Sequence, residues 1–117
     1  PGEFHLPHTL CITPDGTLYV SDRANRRVQI FTPDGQFKGE WTGMGGPNDM
    51  ALDEHGIFYL GEQATETSKP AISVRDDNGT VLTRWEVAPT HGMGIDTLGN
   101  IYVGLTKLGR VDKYVRV

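Results

Sequence analysis

An all-β fold of short, tightly turned strands follows from three observations on the sequence. The 117 residues include 15 Gly and 7 Pro, too many chain-reversing residues for long helices. Apolar residues alternate rather than recur at helical spacing: Leu10 and Ile12 share one face, as do Leu18 and Val20. The chain also matches itself. "HTLCITPDGTLYVSD" from His8 parallels "NDMALDEHGIFYLGE" from Asn48 and "HGMGIDTLGNIYVGL" from His91.

Each copy can be laid out strand by strand. An apolar run comes first, and the turn glycine, Gly16, Gly56 or Gly99, falls eight residues after the copy begins. A second run follows the glycine: "TLYV", "IFYL" and "NIYV". Third runs are "VQIF", "ISVR" and "VDKY", and two copies continue through "DGQFKGEW" and "NGTVLTRW" into a fourth. Trp41 and Trp85 stand six residues after Gly35 and Gly79, as outer-strand packing residues. Asp-Gly and Asn-Gly dipeptides supply the positive backbone angles that hairpins need. "QATETSKP", Gln63 to Pro70, is polar and reads as an exposed loop between two strands.

Turn glycines 40 and 43 residues apart, on four-strand units, mark the blades of a β-propeller. Residues 1–117 therefore read as one partial propeller domain of about three antiparallel blades, approximately 6–46, 47–87 and 88–117. The third stops after its third strand, giving eleven strands. A blade cannot bury both faces alone, so further blades are expected as partners, from a longer chain or from a second copy. An isolated piece of this kind would leave a sheet face and strand edges in water.

Composition excludes several classes. The net charge of −4 argues against a nucleic-acid surface, although Arg23, Arg26 and Arg27 cluster. No run approaches the length of a membrane-spanning helix, and no secretory leader is seen, which leaves the compartment open. Cys11 is the single cysteine; it has no disulfide partner and reads as a buried thiol. No Ser-His-Asp, phosphate-loop, Cys-x-x-Cys or paired-carboxylate pattern is present.

"YVSDRANRRVQIFTPDGQF" resembles the NHL repeat, with its Asp-x-x-Asn-x-Arg turn, strand and Pro-Asp-Gly. "LPHTL", "SDRANRRVQIF" and "HGMGIDTLGNIYVG" are similar to the core of the peptidyl-α-hydroxyglycine α-amidating lyases and their bacterial NHL relatives. That resemblance implies a six-bladed ring, with this chain as its carboxy-terminal half. It also implies zinc held by three histidines, and cleavage of a peptide-derived α-hydroxyglycine to peptide amide and glyoxylate. "LPH" carries one zinc ligand onto His8 and "PTH" another onto His91. "SDR" carries the family's substrate-holding arginine onto Arg23. The third ligand and a tyrosine base would lie upstream.

The residues support part of this independently. First strands of propeller blades lie nearest the axis, so His8, Asn48 and His91 should converge. Neutral imidazole is a good zinc ligand, and catalytic zinc commonly takes three protein ligands. His8 could instead close a hydrogen bond to a neighbouring carbonyl. Asp22, Asn25 and Arg27 read as turn chemistry, and His5 and His55 as solvent-facing. The chain departs from the family at Pro89-Thr90 and Gly92, around the second histidine. Leu105 stands where the other copies have Asp22 and Glu62, so Ca²⁺ at the family's structural site is doubtful. A non-catalytic NHL module that binds protein or ligand is the alternative reading.

Overall fold

Every run read as a strand forms one. The computed structural model describes residues 1–116; Val117, the last residue of the third expected blade, lies outside them. The first sheet holds β1 (Pro7–Ile12), β2 (Leu18–Asp22), β3 (Arg27–Phe31) and β4 (Phe37–Trp41). The second holds β5 (Pro47–Leu52), β6 (Phe58–Glu62), β7 (Ala71–Arg75) and β8 (Val81–Glu86). β9 (Met93–Ile95), β10 (Ile101–Leu105) and β11 (Arg110–Tyr114) make the third. All three are antiparallel meanders, of four, four and three strands. Helix is confined to one 3-10 turn, Arg23–Asn25.

Turn chemistry is simpler than the Asp-Gly and Asn-Gly pairs suggest. Gly16, Gly35, Gly56, Gly79 and Gly99 have φ between 78° and 88°, but the residues before them stay at negative φ. The hairpins thus use a turn closed by one left-handed glycine rather than a turn with two. In the β9–β10 turn, Asp96 accepts the backbone N–H groups of Leu98 and Asn100, as Asp53 does for His55 and Ile57 in the β5–β6 turn.

Strand pairing decides which face is buried. Leu10 pairs Val20 and Ile12 pairs Leu18, while Cys11 and Tyr19 point to the opposite side. The Cys11–Tyr19 side meets the second sheet: Tyr19, Val28, Ile30 and Trp41 pack with Met50, Phe58 and Leu60. Met50 and Leu60 occupy in the second sheet the register that Leu10 and Val20 occupy in the first. The pattern repeats one step on, where Ile72 packs against Ile101, Val103 and Leu105. Each sheet therefore presents its Leu10-type side to the sheet before it. At the start of the series the segment before β1 covers part of that side, with Phe4 against Phe31, but leaves Leu10 57% and Ile12 63% exposed.

The Asp22 turn behaves as its sequence implies. Its fully buried carboxylate accepts hydrogen bonds from the His5 backbone, Asn25, Arg27 and Gln29, at 2.7–3.1 Å. Burial pushes this carboxyl up, but the four donors more than offset it and hold it below the usual range. Glu62 repeats the arrangement, accepting from Arg75 and the Gly45 backbone. In the third sheet Leu105 fills that place with apolar packing.

Candidate metal centre at the inner strands

The first strands of the three sheets lie side by side, β1 against β5 and β5 against β9. In β1 the register slips between Pro7 and Thr9, and in β5 between Pro47 and Asn48's far neighbour Asp49. His8 and Asn48 are thus the extra residues of equivalent β-bulges. A bulge re-aims one side chain out of the alternating pattern. His91 reaches the same level just ahead of β9, with its N–H bonded to the Gly104 carbonyl at 2.9 Å.

The expected convergence is present for both histidines. The His8 and His91 rings stand edge to face with centroids 5.0 Å apart. Nδ1 of His8 donates to the Asn48 carbonyl at 2.5 Å. A carbonyl can only accept, so this contact places the proton on Nδ1 and leaves the lone pair on Nε2. The carbonyl bond anticipated as the alternative for His8 therefore exists, and it is compatible with metal ligation. Metal-bound histidines usually donate their second ring nitrogen in this way.

Asn48, aligned with the two histidines, holds neighbours together. Its Oδ1 accepts from Arg23 Nη1 at 2.9 Å, and its Nδ2 donates to the Thr90 carbonyl at 2.6 Å. Next to it, the Asp49 carboxylate accepts from the Gly92 N–H at 2.6 Å and the Thr90 hydroxyl at 3.0 Å. Asn48, Asp49 and Thr90 are all buried, at 5–7% exposure. Arg23 is half-buried and spends one of its five N–H donors on Asn48.

Sequence reasoning placed His8, His91 and Arg23 in one neighbourhood but passed over Asp49, Thr90 and two glycines. Gly61 and Gly104 sit inside strands where a side chain has no room. A Cβ on Gly61 would lie 2.5 Å from Thr90 Oγ1, and one on Gly104 would lie 2.9 Å from the His91 carbonyl. A glycine inside an otherwise regular strand pattern was the available signal of such close approach. His5 and His55 are exposed and take no part, as expected. Among the described residues no group of three or more His, Cys, Asp or Glu side chains could hold a metal ion. The two imidazoles stand as a pair, one short of the three protein ligands that catalytic zinc commonly takes.

Known proteins resemble the chain at three levels. The NHL repeat family model matches residues 4–31. NHL repeat-containing protein 3 of Homo sapiens is 27% identical over 128 residues, covering 98% of this chain and 37% of that protein. The chain thus spans little more than a third of that relative. Peptidyl-glycine alpha-amidating monooxygenase A of Xenopus laevis is 53% identical over 32 residues, 26% of this chain and 3% of that protein. Among solved structures, virginiamycin B lyase from Staphylococcus aureus superposes with a TM-score of 0.70 at 13% identity, over 94% of this chain and 41% of that one. At that identity the likeness is one of fold. The chain carries an NHL repeat and has the architecture of a partial β-propeller.

Proposed function

We propose that this chain forms part of an NHL propeller whose axial face binds Zn²⁺ through His8 and His91, in a lyase acting on α-hydroxyglycine-type substrates. The observation that carries the reading is the 5.0 Å approach of two imidazoles from non-adjacent blades, one with its Nε2 lone pair kept free by a carbonyl contact. The short Xenopus laevis match supports the same direction.

The chain's own residues divide the work. His8 and His91 supply two neutral nitrogen ligands, and a third comes from a further blade. Arg23, permanently charged, retains N–H donors with which to hold the substrate carboxylate in two-point fashion. In the cleavage the substrate hydroxyl loses its proton and becomes the aldehyde carbonyl of glyoxylate as the carbon–nitrogen bond breaks, and the departing nitrogen takes up a proton to give the peptide amide. Bound zinc supplies Lewis acidity that makes that hydroxyl more acidic. Further blades, from a longer chain or a second copy, cover Leu10 and Ile12.

Metal analysis of the full protein, with His8→Ala and His91→Ala, tests the reading. Stoichiometric zinc that both substitutions abolish, with peptide amide and glyoxylate formed from an α-hydroxyglycine peptide, is the expected outcome. Folded protein that binds no metal would favour the second reading, a non-catalytic module that presents its axial face to a protein or ligand. The lack of a three-residue ligand group among the described residues is the observation on that side.

A further inference from the structure

We infer that Asn48 and Asp49, on the blade that lacks a histidine, are positioning residues for the histidine pair. This rests on the proposed metal-binding role of His8 and His91. Asn48 acts through three separate groups. Its backbone carbonyl fixes the His8 ring and tautomer, its side-chain nitrogen holds the Thr90 carbonyl, and its side-chain oxygen anchors Arg23. Asp49 grips the same turn from its other side, through the Thr90 hydroxyl and the Gly92 N–H. His91 lies between those two attachment points. Every bond runs from the second blade to the first or third, so the histidine spacing is set by a residue pair on the blade between them.

Burial strengthens the assignment. These polar side chains lie at 5–7% exposure, where an unmade hydrogen bond is costly and a made one is well directed. The bulge at Asn48 turns its side chain toward the neighbouring blades, as the bulge at His8 does for the imidazole. Gly61 leaves the space that Thr90 and Asp49 occupy. A histidine at position 48 would retain neither the amide donor to Thr90 nor the amide oxygen that receives Arg23. The middle copy therefore lacks the imidazole because its position has another task.

The test compares Asn48→Ala and Thr90→Val with Thr90→Ser in the full protein. Two readouts are used: affinity for Zn²⁺ alone, and the His8–His91 ring contact followed by NMR without metal. Thr90→Val removes one hydroxyl at nearly constant volume, so it stays informative if Asn48→Ala fails to fold. Loss of outer-shell partners typically weakens metal binding about 10–100-fold. Thr90→Val should weaken zinc binding within that range, and Thr90→Ser should restore most of it. Asn48→Ala keeps the backbone carbonyl that holds His8 but loses both side-chain anchors, so it should weaken the His8–His91 ring contact while leaving His8 in its Nδ1–H form. Folded Asn48→Ala or Thr90→Val protein with zinc affinity within about twofold of the parent would overturn the inference while leaving the metal reading intact. If the parent binds no zinc, the metal reading fails, and the ring contact alone decides: its loss in folded Asn48→Ala or Thr90→Val protein supports positioning, and an unchanged contact rejects it.

Discussion

His8 and His91 come from blades separated by a whole intervening sheet, yet their rings meet edge to face at 5.0 Å. Edge-to-face contact is favourable by itself. If they are ligands to one ion, their contributions cannot be additive. His8→Ala and His91→Ala should each reduce zinc affinity by more than the ~100-fold typical of outer-shell partners. The double variant should lose little more than either single one. Titration calorimetry on the full protein checks this; single variants that each keep half of the bound zinc at the parent's affinity would mean two independent sites.

Phe58 packs between the first two sheets. It is fully buried, with ring centroids 4.5 Å from Tyr19 and 5.1 Å from Trp41. Phe58→Ala should cost about 3–5 kcal/mol in denaturant unfolding, because the lost transfer energy and the cavity add. Leu10→Ala, at an exposed position of β1, should cost under about 0.5 kcal/mol when residues 1–117 are studied alone.

The Asp22 carboxylate should make stability acid-sensitive. Because its folded value lies below the ordinary one, its contribution is present above pH ~3.9 and is lost as pH falls through the folded value. Asp22→Asn leaves Arg27 and Gln29 with a poorer acceptor. It should cost about 3 kcal/mol at neutral pH and flatten the loss of stability toward pH 3. Equal acid sensitivity in parent and variant would remove Asp22 from the explanation.

Cys11 should be a quiet thiol. Burial pushes it up from 9.0 to about 11, and its sulfur rests 3.7 Å from the Met50 carbonyl. A shift of that size leaves about 100-fold less thiolate than in an unfolded chain at the same pH. Alkylation at pH 8 should be slower in the native protein by at least that factor and become fast in denaturant.

Much of this was legible from spacing alone. Gly16, Gly56 and Gly99 marked the hairpins, and the alignment of His8, Asn48 and His91 placed them at one level of the fold. Alternation told which residues share a face, but not which face is covered. That depends on a neighbouring sheet, and Leu10 looks no different in sequence from its buried counterpart Met50. The hold of Asp49 on Thr90 and Gly92 was illegible for the same reason. It links residues that meet only because two blades stack, and no local pattern records that meeting. Gly61 and Gly104 did leave a local mark, which gains meaning only once the partner backbone is known.

The middle sheet is the one clad on both sides, and β7 is buried along its whole length. In stacked repeats each unit draws its stability from its immediate neighbours. Unzipping should therefore begin at the flanks and reach β6 and β7 last. Deuterium should enter their amides most slowly, so the strands behind Asn48 would keep their shape while the outer walls of the domain loosen and reclose.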